Sequence, residues 1–437
     1  MKQIKIGIIG LGTVGDGVIK MFENIQEIVR EKTGGEIVIK TLVDRVIDKE
    51  RDFDLAKLGA KLSDNVDDIL DDPEINIFVE LIGGYEPAHS MILKALNNGK
   101  HVVTANKAVL AKYWDEFNEA CVRNNVLCYF EASVGAGIPA IQGINEGLAG
   151  NRFNLICGIL NGTTNFILTK MLKDNMDYDE ALILAQKLGF AESDPTYDVK
   201  GIDAAHKIAI LASLAYGKTF TIDDVYAEGI DEIHLDDVIF AKKELGLIIK
   251  LLAIAKKNEW GVELRVHPVF IPEEHLLAAV DSEYSAVYVD ADAAGNIMFY
   301  GKGAGKMPAA SGVVSDVIYI AKNIINGTAG KNQFVANYDN SKNIQVVDIN
   351  EIKSKYYLRF NVLDEVGVLA EITDILAKNN VSVATCLQKD VHKENIMPLI
   401  MTTHKAQEAD IKKAINAING LKSSKESSLF MRIENEI

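Results

Sequence analysis

Residues 4–9 form an apolar run broken only by Lys5, the pattern of a strand buried in a parallel sheet. Glycines follow, and then apolar positions at helical spacing run to about residue 30. Residues 37–43 predict a second strand, and 77–82 and 101–104 two more, with a helix over 88–97 between them. A helix over 112–124 leads into a further strand at 126–130. Strand alternating with helix through this region predicts a doubly wound parallel sheet. The pattern changes near residue 135. Helical spacing dominates at 138–148, 165–174, 178–188 and 201–216, with strand-like runs at 153–160, 262–270, 286–290 and 297–300, which predicts an α+β domain. A glycine-rich turn at 302–306 precedes a helix over 309–325. Residues 326–355 are polar and weakly periodic, as in a linker. Strand 356–362, helix 367–379, strands 381–388 and 396–402, helix 406–418 and strand 429–432 then give the ferredoxin-like β-α-β-β-α-β order.

Composition narrows the class. Of 437 residues, 48% are apolar and 25% charged, the balance of a globular chain, and the length holds several domains. Lysine and arginine number 46 against 62 acidic residues, a net charge of −16, which argues against a nucleic-acid or anionic-membrane binder. No apolar run reaches the roughly 18 residues of a membrane span. The start of the chain enters a strand without a secretory pattern. Cys121, Cys128, Cys157 and Cys386 show neither Cys-x-x-Cys spacing nor paired histidines, so the chain reads as cytoplasmic with reduced thiols. His89, His101, His206, His234 and His267 do not pair at metal-ligand spacing.

Between the first strand and the first helix, Gly10-Leu11-Gly12-Thr13-Val14-Gly15 fits G-x-G-x-x-G in the strand–turn–helix context the motif requires. Gly10 permits a tight turn, Gly12 lets backbone approach a pyrophosphate, and Gly15 lets the helix lie close to the strand. The phosphates would rest on the N–H groups that open the helix. Asp44 ends the second strand, where a carboxylate holds a ribose 2′-hydroxyl and favours NAD. Arg45, Lys49 and Arg51 follow, and arginine accepts the 2′-phosphate of NADP. The signs conflict and leave NAD and NADP both open.

Ligands of open α/β sheets bind at the carboxyl ends of the strands. Gly83, Thr104 and Lys107 lie at such ends, as does the segment 131–139. The segment 161–165, Asn-Gly-Thr-Thr-Asn, follows an apolar strand and opens a helix with Thr164 or Asn165 as its cap, where amides and hydroxyls suit a substrate carboxylate. The stretch 189–207 packs Glu192, Asp194, Asp198 and Asp203 ahead of Lys207. Asp203 and Lys207, four apart, share a helix face. Carboxylates converging on one lysine suit a small substrate that carries an ammonium group and exchanges a proton. The plain alternative is a solvated acidic loop followed by a helix ion pair.

Taken together, these pieces resemble the homoserine dehydrogenase family over nearly the whole chain. The matching segments are 10–15, 104–107 (Thr-Ala-Asn-Lys), 131–139 (Glu-Ala-Ser-Val-Gly-Ala-Gly-Ile-Pro), 158–168 (Gly-Ile-Leu-Asn-Gly-Thr-Thr-Asn-Phe-Ile-Leu) and the acidic block. The C-terminal part resembles an ACT domain, with Asp364-Glu365-Val366-Gly367-Val368-Leu369 at its characteristic turn. The resemblance implies a Rossmann-type domain over 1–134 with 301–325 returning to it, a catalytic and dimerisation domain over 135–300, the linker, and an ACT-like regulatory domain over 356–437. It implies reversible NAD(P)-dependent interconversion of L-homoserine and L-aspartate 4-semialdehyde, in a homodimer or homotetramer with L-threonine as the expected effector. By the same resemblance Lys207 is the acid/base, Lys107 a second lysine near the reacting oxygen, and Asp203 part of the catalytic group. Glu192, Asp203, Asp198, Gly162, Thr163 and Tyr197 would contact substrate. Gly10, Gly12, Thr13, Val14, Gly15, Asp44, Arg45, Gly83, Thr104, Lys107, Gly189 and Gly305 would contact the cofactor. Glu131, with the carbonyls of Val134, Ala136 and Ile138, would hold a monovalent cation such as Na+.

Two departures stand out. The family often has arginine then aspartate at the end of the second strand, where this chain has Asp44 then Arg45, and its ACT turn usually carries proline where this chain has Val366. Two rival readings fit less well. A thioester-forming semialdehyde dehydrogenase needs an activated cysteine with a histidine partner, and Cys157 lies inside an apolar strand. A non-catalytic metabolite sensor would have no use for the acidic block and both lysines.

Overall fold

Six parallel strands carry the N-terminal sheet: β1 (Gln3–Ile9), β2 (Glu36–Val43), β3 (Lys61–Ser63), β4 (Ile77–Glu80), β5 (His101–Thr104) and β6 (Cys128–Tyr129). Their order is β3-β2-β1-β4-β5-β6, so the chain reverses direction between β1 and β4 and opens a crevice at the carboxyl ends of those strands. The computed structural model describes all residues except 49, 52, 332–343, 389–395 and 436. Lys49 and the middle of the expected linker therefore lie outside the described residues.

The single helix expected to residue 30 is two helices, Thr13–Asn24 and Gln26–Thr33. The break falls at Ile25, whose backbone leaves helical geometry (φ −114°, ψ 14°). The helix Lys306–Asn326 lies on Thr13–Asn24, where Gly17 makes room: a Cβ there would come within 2.9 Å of the Lys306 carbonyl oxygen. The chain thus comes back to the first sheet after leaving it. The short strand β3, three residues long, carries no periodicity from which it could be predicted.

The second sheet is mixed. It contains β7 (Phe153–Ile159), β8 (Tyr226–Ala227), β9 (Leu247–Lys257), β10 (Val262–Pro272), β11 (Tyr284–Ala291) and β12 (Gly295–Lys302). It continues through β13 (Lys353–Leu363), β14 (Val383–Gln388), β15 (Ile396–Thr403), β16 (Ala406–Gln407) and β17 (Leu429–Ile433). The order β12-β11-β7-β9-β10-β17-β13-β15-β14 joins the catalytic and ferredoxin-like units in one sheet. The joint is a short parallel pairing of Val269 with Arg432 and Phe270 with Ile433. Strand β9 was not anticipated. Its first nine residues are buried on both faces, and an apolar run broken only by Lys250 reads equally as a buried helix segment.

The helix expected over 138–148 is a short helix, Ala140–Gln142, that widens into a π turn, Gly143–Gly147. The described part of the expected linker is no loose tether. Gln345 accepts a hydrogen bond from the Val262 amide (2.9 Å), Val347 donates one to the Val262 carbonyl (3.0 Å), and Lys218 donates to the Ile344 carbonyl (2.6 Å).

Candidate active site

The crevice at the strand reversal is a cleft of about 760 Å³, and Gly10, Gly12, Asp44, Arg45 and Gly83 line it. The three fingerprint glycines each do a different job. Gly10 turns in the left-handed region (φ +91°), and a Cβ there would lie 2.7 Å from the Leu81 carbonyl. At Gly12 a Cβ would meet nothing within 4 Å, so this backbone is open to a ligand. A Cβ on Gly15 would lie 2.1 Å from the Gly10 carbonyl oxygen, so the helix approaches the turn only because the residue is glycine. Thr13 and Val14 form the first turn of the helix, directly behind Gly12, its cap. This cradle fits a dinucleotide: backbone open at the phosphate position, and a helix N-terminus behind it.

Just past the end of β2, Asp44 faces the Arg51 guanidinium at 3.6 Å while Arg45 is exposed along the cleft. Thr104 takes no place in the lining. It is fully buried and its hydroxyl donates to Glu80 Oε2 at 2.6 Å. Glu80 Oε1 in turn accepts the amides of Ile82 (2.8 Å) and Gly83 (3.2 Å), so this buried carboxyl fixes the loop carrying Gly83. Burial pushes the Glu80 carboxyl up, against the pull of those hydrogen bonds.

A second cavity of about 550 Å³ brings together Lys107, Gly162, Thr163, Gly189, Glu192, Asp198, Asp203, Lys207 and Gly305. Residues from five separate segments thus meet at one place. Gly189 and Gly305, expected at the cofactor, stand here beside Lys107. Lys207 lies on the helix Ile202–Tyr216, one turn after Asp203. Its Nζ donates to Asp203 Oδ2 at 2.8 Å and to the Leu160 carbonyl at 2.7 Å. Lys107, first residue of the helix Lys107–Asn124, donates to the other oxygen of Asp203, Oδ1. Asp203 is 3% exposed and Lys207 8%, so one buried carboxylate is gripped by two ammonium groups.

Burial opposes ionisation of Asp203, but the Lys207 and Lys107 charges outweigh it and hold the carboxyl well below the usual carboxylate range. Burial pushes Lys207 down from the ordinary lysine value. Asp203 pulls it back up, and the Lys107 charge pushes it further down. Asp198 moves up through burial and the neighbouring Asp203 charge.

The helix Gly162–Asp174 begins three residues earlier than predicted, and its cap is Asn161, whose Oδ1 accepts the Thr164 amide at 2.9 Å. The Thr163 hydroxyl donates to the Phe190 carbonyl (2.7 Å), tying this turn to the one carrying Ala191 and Glu192. Tyr197 is 40% exposed, with the Lys107 ammonium 5.4 Å from its ring centre.

Sequence reasoning missed a bridge across the crevice. Tyr85, just past Gly84 of the nucleotide cleft, reaches His206 Nε2 at 3.2 Å, and Tyr197 OH lies 3.0 Å from His206 Nδ1. The Ile202 carbonyl, 2.9 Å from Nδ1, can only accept, so Nδ1 carries the proton and Tyr85 donates to Nε2. The signal was in plain view, since His206 directly precedes Lys207, but no histidine partner in sequence pointed to it. Asn161 was read only as part of a cap segment, and Glu283 and Lys302, which also line the cavity, carried no motif.

The turn expected at a cation is the 3-10 turn Glu131–Ser133 and the loop after it. Glu131 is buried, and its two carboxylate oxygens accept the amides of Ile141 and Gln142, both at 2.9 Å. Burial pushes its carboxyl up to about 7, against those two hydrogen bonds and with help from the Glu146 charge.

A cradle for a dinucleotide on one side of the crevice, and a buried lysine suited to proton transfer on the other, define a pyridine-nucleotide-dependent oxidoreductase. Comparison with known proteins makes this specific. Family models match for the homoserine dehydrogenase NAD binding domain over residues 10–131, for homoserine dehydrogenase over 139–318 and for the ACT domain over 356–422. The homoserine dehydrogenase of Bacillus subtilis is 40% identical over 435 residues, 99% of either chain. The crystal structure of a homoserine dehydrogenase from Thiobacillus denitrificans aligns with a TM-score of 0.92 at 40% identity, covering 100% of this chain and 99% of that one. A hyperthermophilic archaeal homoserine dehydrogenase in complex with NADPH aligns with a TM-score of 0.60 at 29% identity, over 72% of this chain and 97% of that one. The chain belongs to the homoserine dehydrogenase family, whose members interconvert L-homoserine and L-aspartate 4-semialdehyde with NAD(P).

Proposed function

We propose that Lys207 is the group that exchanges a proton with the substrate oxygen, and that Asp203 and Lys107 hold it ready. One observation carries this reading: the Lys207 ammonium is buried at the cavity wall between Asp203 Oδ2 and the Leu160 carbonyl, with Lys107 on the opposite oxygen of Asp203. The bound cofactor supplies or accepts the hydride. In the reductive direction Lys207 donates its proton to the oxygen that gains negative charge, and its lowered proton affinity makes the transfer easier. In the oxidative direction the neutral amine takes that proton back. Glu192 and Asp198 receive the substrate's ammonium group, and the amides at the start of the helix Gly162–Asp174 receive its carboxylate. Fixing both ends of a small molecule sets the reacting carbon in place, which is itself a large catalytic effect.

The nucleotide unit on this reading is 1–134 with 301–325, the catalytic unit 135–300 and the regulatory unit 356–437. The turn of Glu131, Val134, Ala136 and Ile138 is the place for a hard monovalent cation, since carboxylate and carbonyl oxygens are its donor set. Among the described residues no helix is long and apolar enough to cross a membrane, and a cytoplasmic homo-oligomer answering to L-threonine is the setting this reading implies. Following nicotinamide absorbance with L-homoserine and each cofactor in turn tests the central claim, and no homoserine-dependent reduction of either cofactor would overturn it. Adding L-threonine to the same assay is expected to lower the rate or shift the melting temperature; no response in either measure removes threonine as the effector.

A further inference from the structure

Asn161, at the end of β7, is buried, and all of its side-chain hydrogen-bonding capacity points at the active site and its supports. Its Oδ1 accepts from the Thr164 amide (2.9 Å) and the Thr164 hydroxyl (3.0 Å). A backbone amide can only donate, so the orientation of the side chain is fixed and Nδ2 is the end that faces the carboxylates. That nitrogen has two hydrogens and two acceptors: Asp198 Oδ1 at 2.7 Å and Asp203 Oδ2 at 2.8 Å. The same Asp203 oxygen takes the proton-bearing Nζ of Lys207, and the carbonyl of the preceding residue, Leu160, takes the other Lys207 bond.

A buried carboxylate (Asp203) and a half-buried one (Asp198) drawn onto one nitrogen repel each other, and such a pair tends to share a proton unless donors or cations hold both charges. Asp203 has two lysines for this purpose. Among the described residues Asp198 has no lysine in hydrogen-bond contact, and the Asn161 amide is the first of its hydrogen-bond supports, ahead of Thr163 and the more distant Lys207 charge. The charged or titratable groups around Asp198 are Asp203 and Lys207 from the helix Ile202–Tyr216, Lys107 from the helix Lys107–Asn124, and Glu192 and Tyr197 from the acidic segment.

Resting on the site reading above, we propose that Asn161 is a positioning residue whose amide holds Asp198 ionised beside Asp203, so that the substrate's ammonium group meets a full negative charge there. The side chain works through the two aspartates and touches neither reacting atom. It joins three tasks in one group: it caps the substrate-carboxylate helix, orients the partner of Lys207, and keeps the ammonium site charged.

The test separates capping from charge control. Asn161→Asp retains the capping oxygen, since aspartate and asparagine cap about equally well, but replaces the donor nitrogen with a third acidic oxygen. Asn161→Ser keeps a shorter cap and also loses the donor. In both variants we expect the KM for L-homoserine to rise by about tenfold or more at neutral pH, and the acid limb of kcat/KM to move to higher pH by about one unit. The dissociation constant for NADPH should change less than twofold. Because the effect runs through Asp198, adding Asn161→Ser to Asp198→Asn should cost little beyond Asp198→Asn alone. Wild-type homoserine KM and an unmoved acid limb in both single variants would overturn the proposal and leave Asn161 as a helix cap, as would full additivity in the double variant. Loss of folding in Asn161→Ser, judged by its melting temperature, would overturn it in the same way, because the side chain would then be structural first. A wild-type protein without homoserine-dependent activity would instead sink the site reading itself, which is a different result.

Discussion

At the seam where β10 meets β17, Arg432 and Glu408 are both sealed from solvent, and the guanidinium gives the carboxylate two bonds of 2.6 Å and a third bond, of 2.9 Å, to Glu228. Arg265 pairs with Glu434 at 2.7 Å close by, and Asp237 receives Tyr357 (2.7 Å) and Arg359 (2.8 Å). In the catalytic cavity the same kinds of group are arranged otherwise. Lys107, Lys207 and Lys302 line it with Asp198, Asp203, Glu192 and Glu283, so the acids outnumber the lysines by one, and they do so around open space. The seam pairs each of these charged groups with another side chain of the chain, leaving only Asp237 Oδ2 among their buried oxygens without a hydrogen bond. The cavity falls one positive charge short, and on the reading proposed above the substrate's ammonium end supplies it while its carboxylate rests apart on the helix amides. Burying a charge costs several kcal/mol in either place; the seam recovers that cost from its own partners, and on the proposed reading the cavity recovers part of it from the substrate.

The comparison is broken most severely at Lys207. Lys207→Ala should lower kcat by about 10³-fold, in the range proton-transfer groups contribute, while NADPH titration shows unchanged affinity. Turnover within a few fold of wild type would mean the buried lysine is only structural.

The seam is next. Arg432→Met leaves the buried Glu408 with only the half-exposed Lys412 and takes the guanidinium from the part-exposed Glu228. Removing one partner of a buried pair destabilises by about 3–5 kcal/mol. Urea unfolding should report a loss of that size, with kcat at saturating substrate nearly intact. Adding Glu408→Leu should restore much of it, because the fully buried carboxylate is then gone and the charges left over, on Glu228 and Lys412, reach solvent. No recovery in the double variant would show that packing, rather than charge balance, sets the cost.

The smallest effect sharpens the contrast through pH. Burial alone would raise Glu408, but the Arg432 bonds and charge, helped by Lys412, leave it lowered. The unfolded chain therefore takes up this proton first as acid is added. The stabilisation is complete above the ordinary glutamate value of about 4.3 and is lost as pH falls from there through the lower folded value. Melting temperatures across that window should fall for the wild type and fall less for Glu408→Gln. Equal slopes would remove Glu408 from the account.

What the sequence displays is local. The glycine fingerprint was legible because its three glycines sit within six residues between a strand and a helix, and Asp203 with Lys207 because one helical turn separates them. Lys107 was legible from its place after β5. The seam was not, because Arg432, Glu408 and Glu228 lie in three distant segments and each looks like an ordinary surface charge until the sheet is assembled. Strand β9 was hidden by burial on both faces, which erases alternation. Asn161 was visible as a residue at a strand–helix boundary, but its two aspartate partners lie 37 and 42 residues downstream. Thr104 marked the right strand end yet turned its hydroxyl inward to Glu80.

The shared sheet has a mechanical consequence. Arg432 grips Glu228, whose amide donates to the Val266 carbonyl (2.8 Å), and two residues on the Ile230 amide donates to the Val199 carbonyl (2.9 Å), just ahead of the helix that carries Asp203 and Lys207. The C-terminal module is therefore no pendulum on a string. It is the far end of a plank whose near end is pinned, through Glu228 and Ile230, to the chain just ahead of the helix of Asp203 and Lys207.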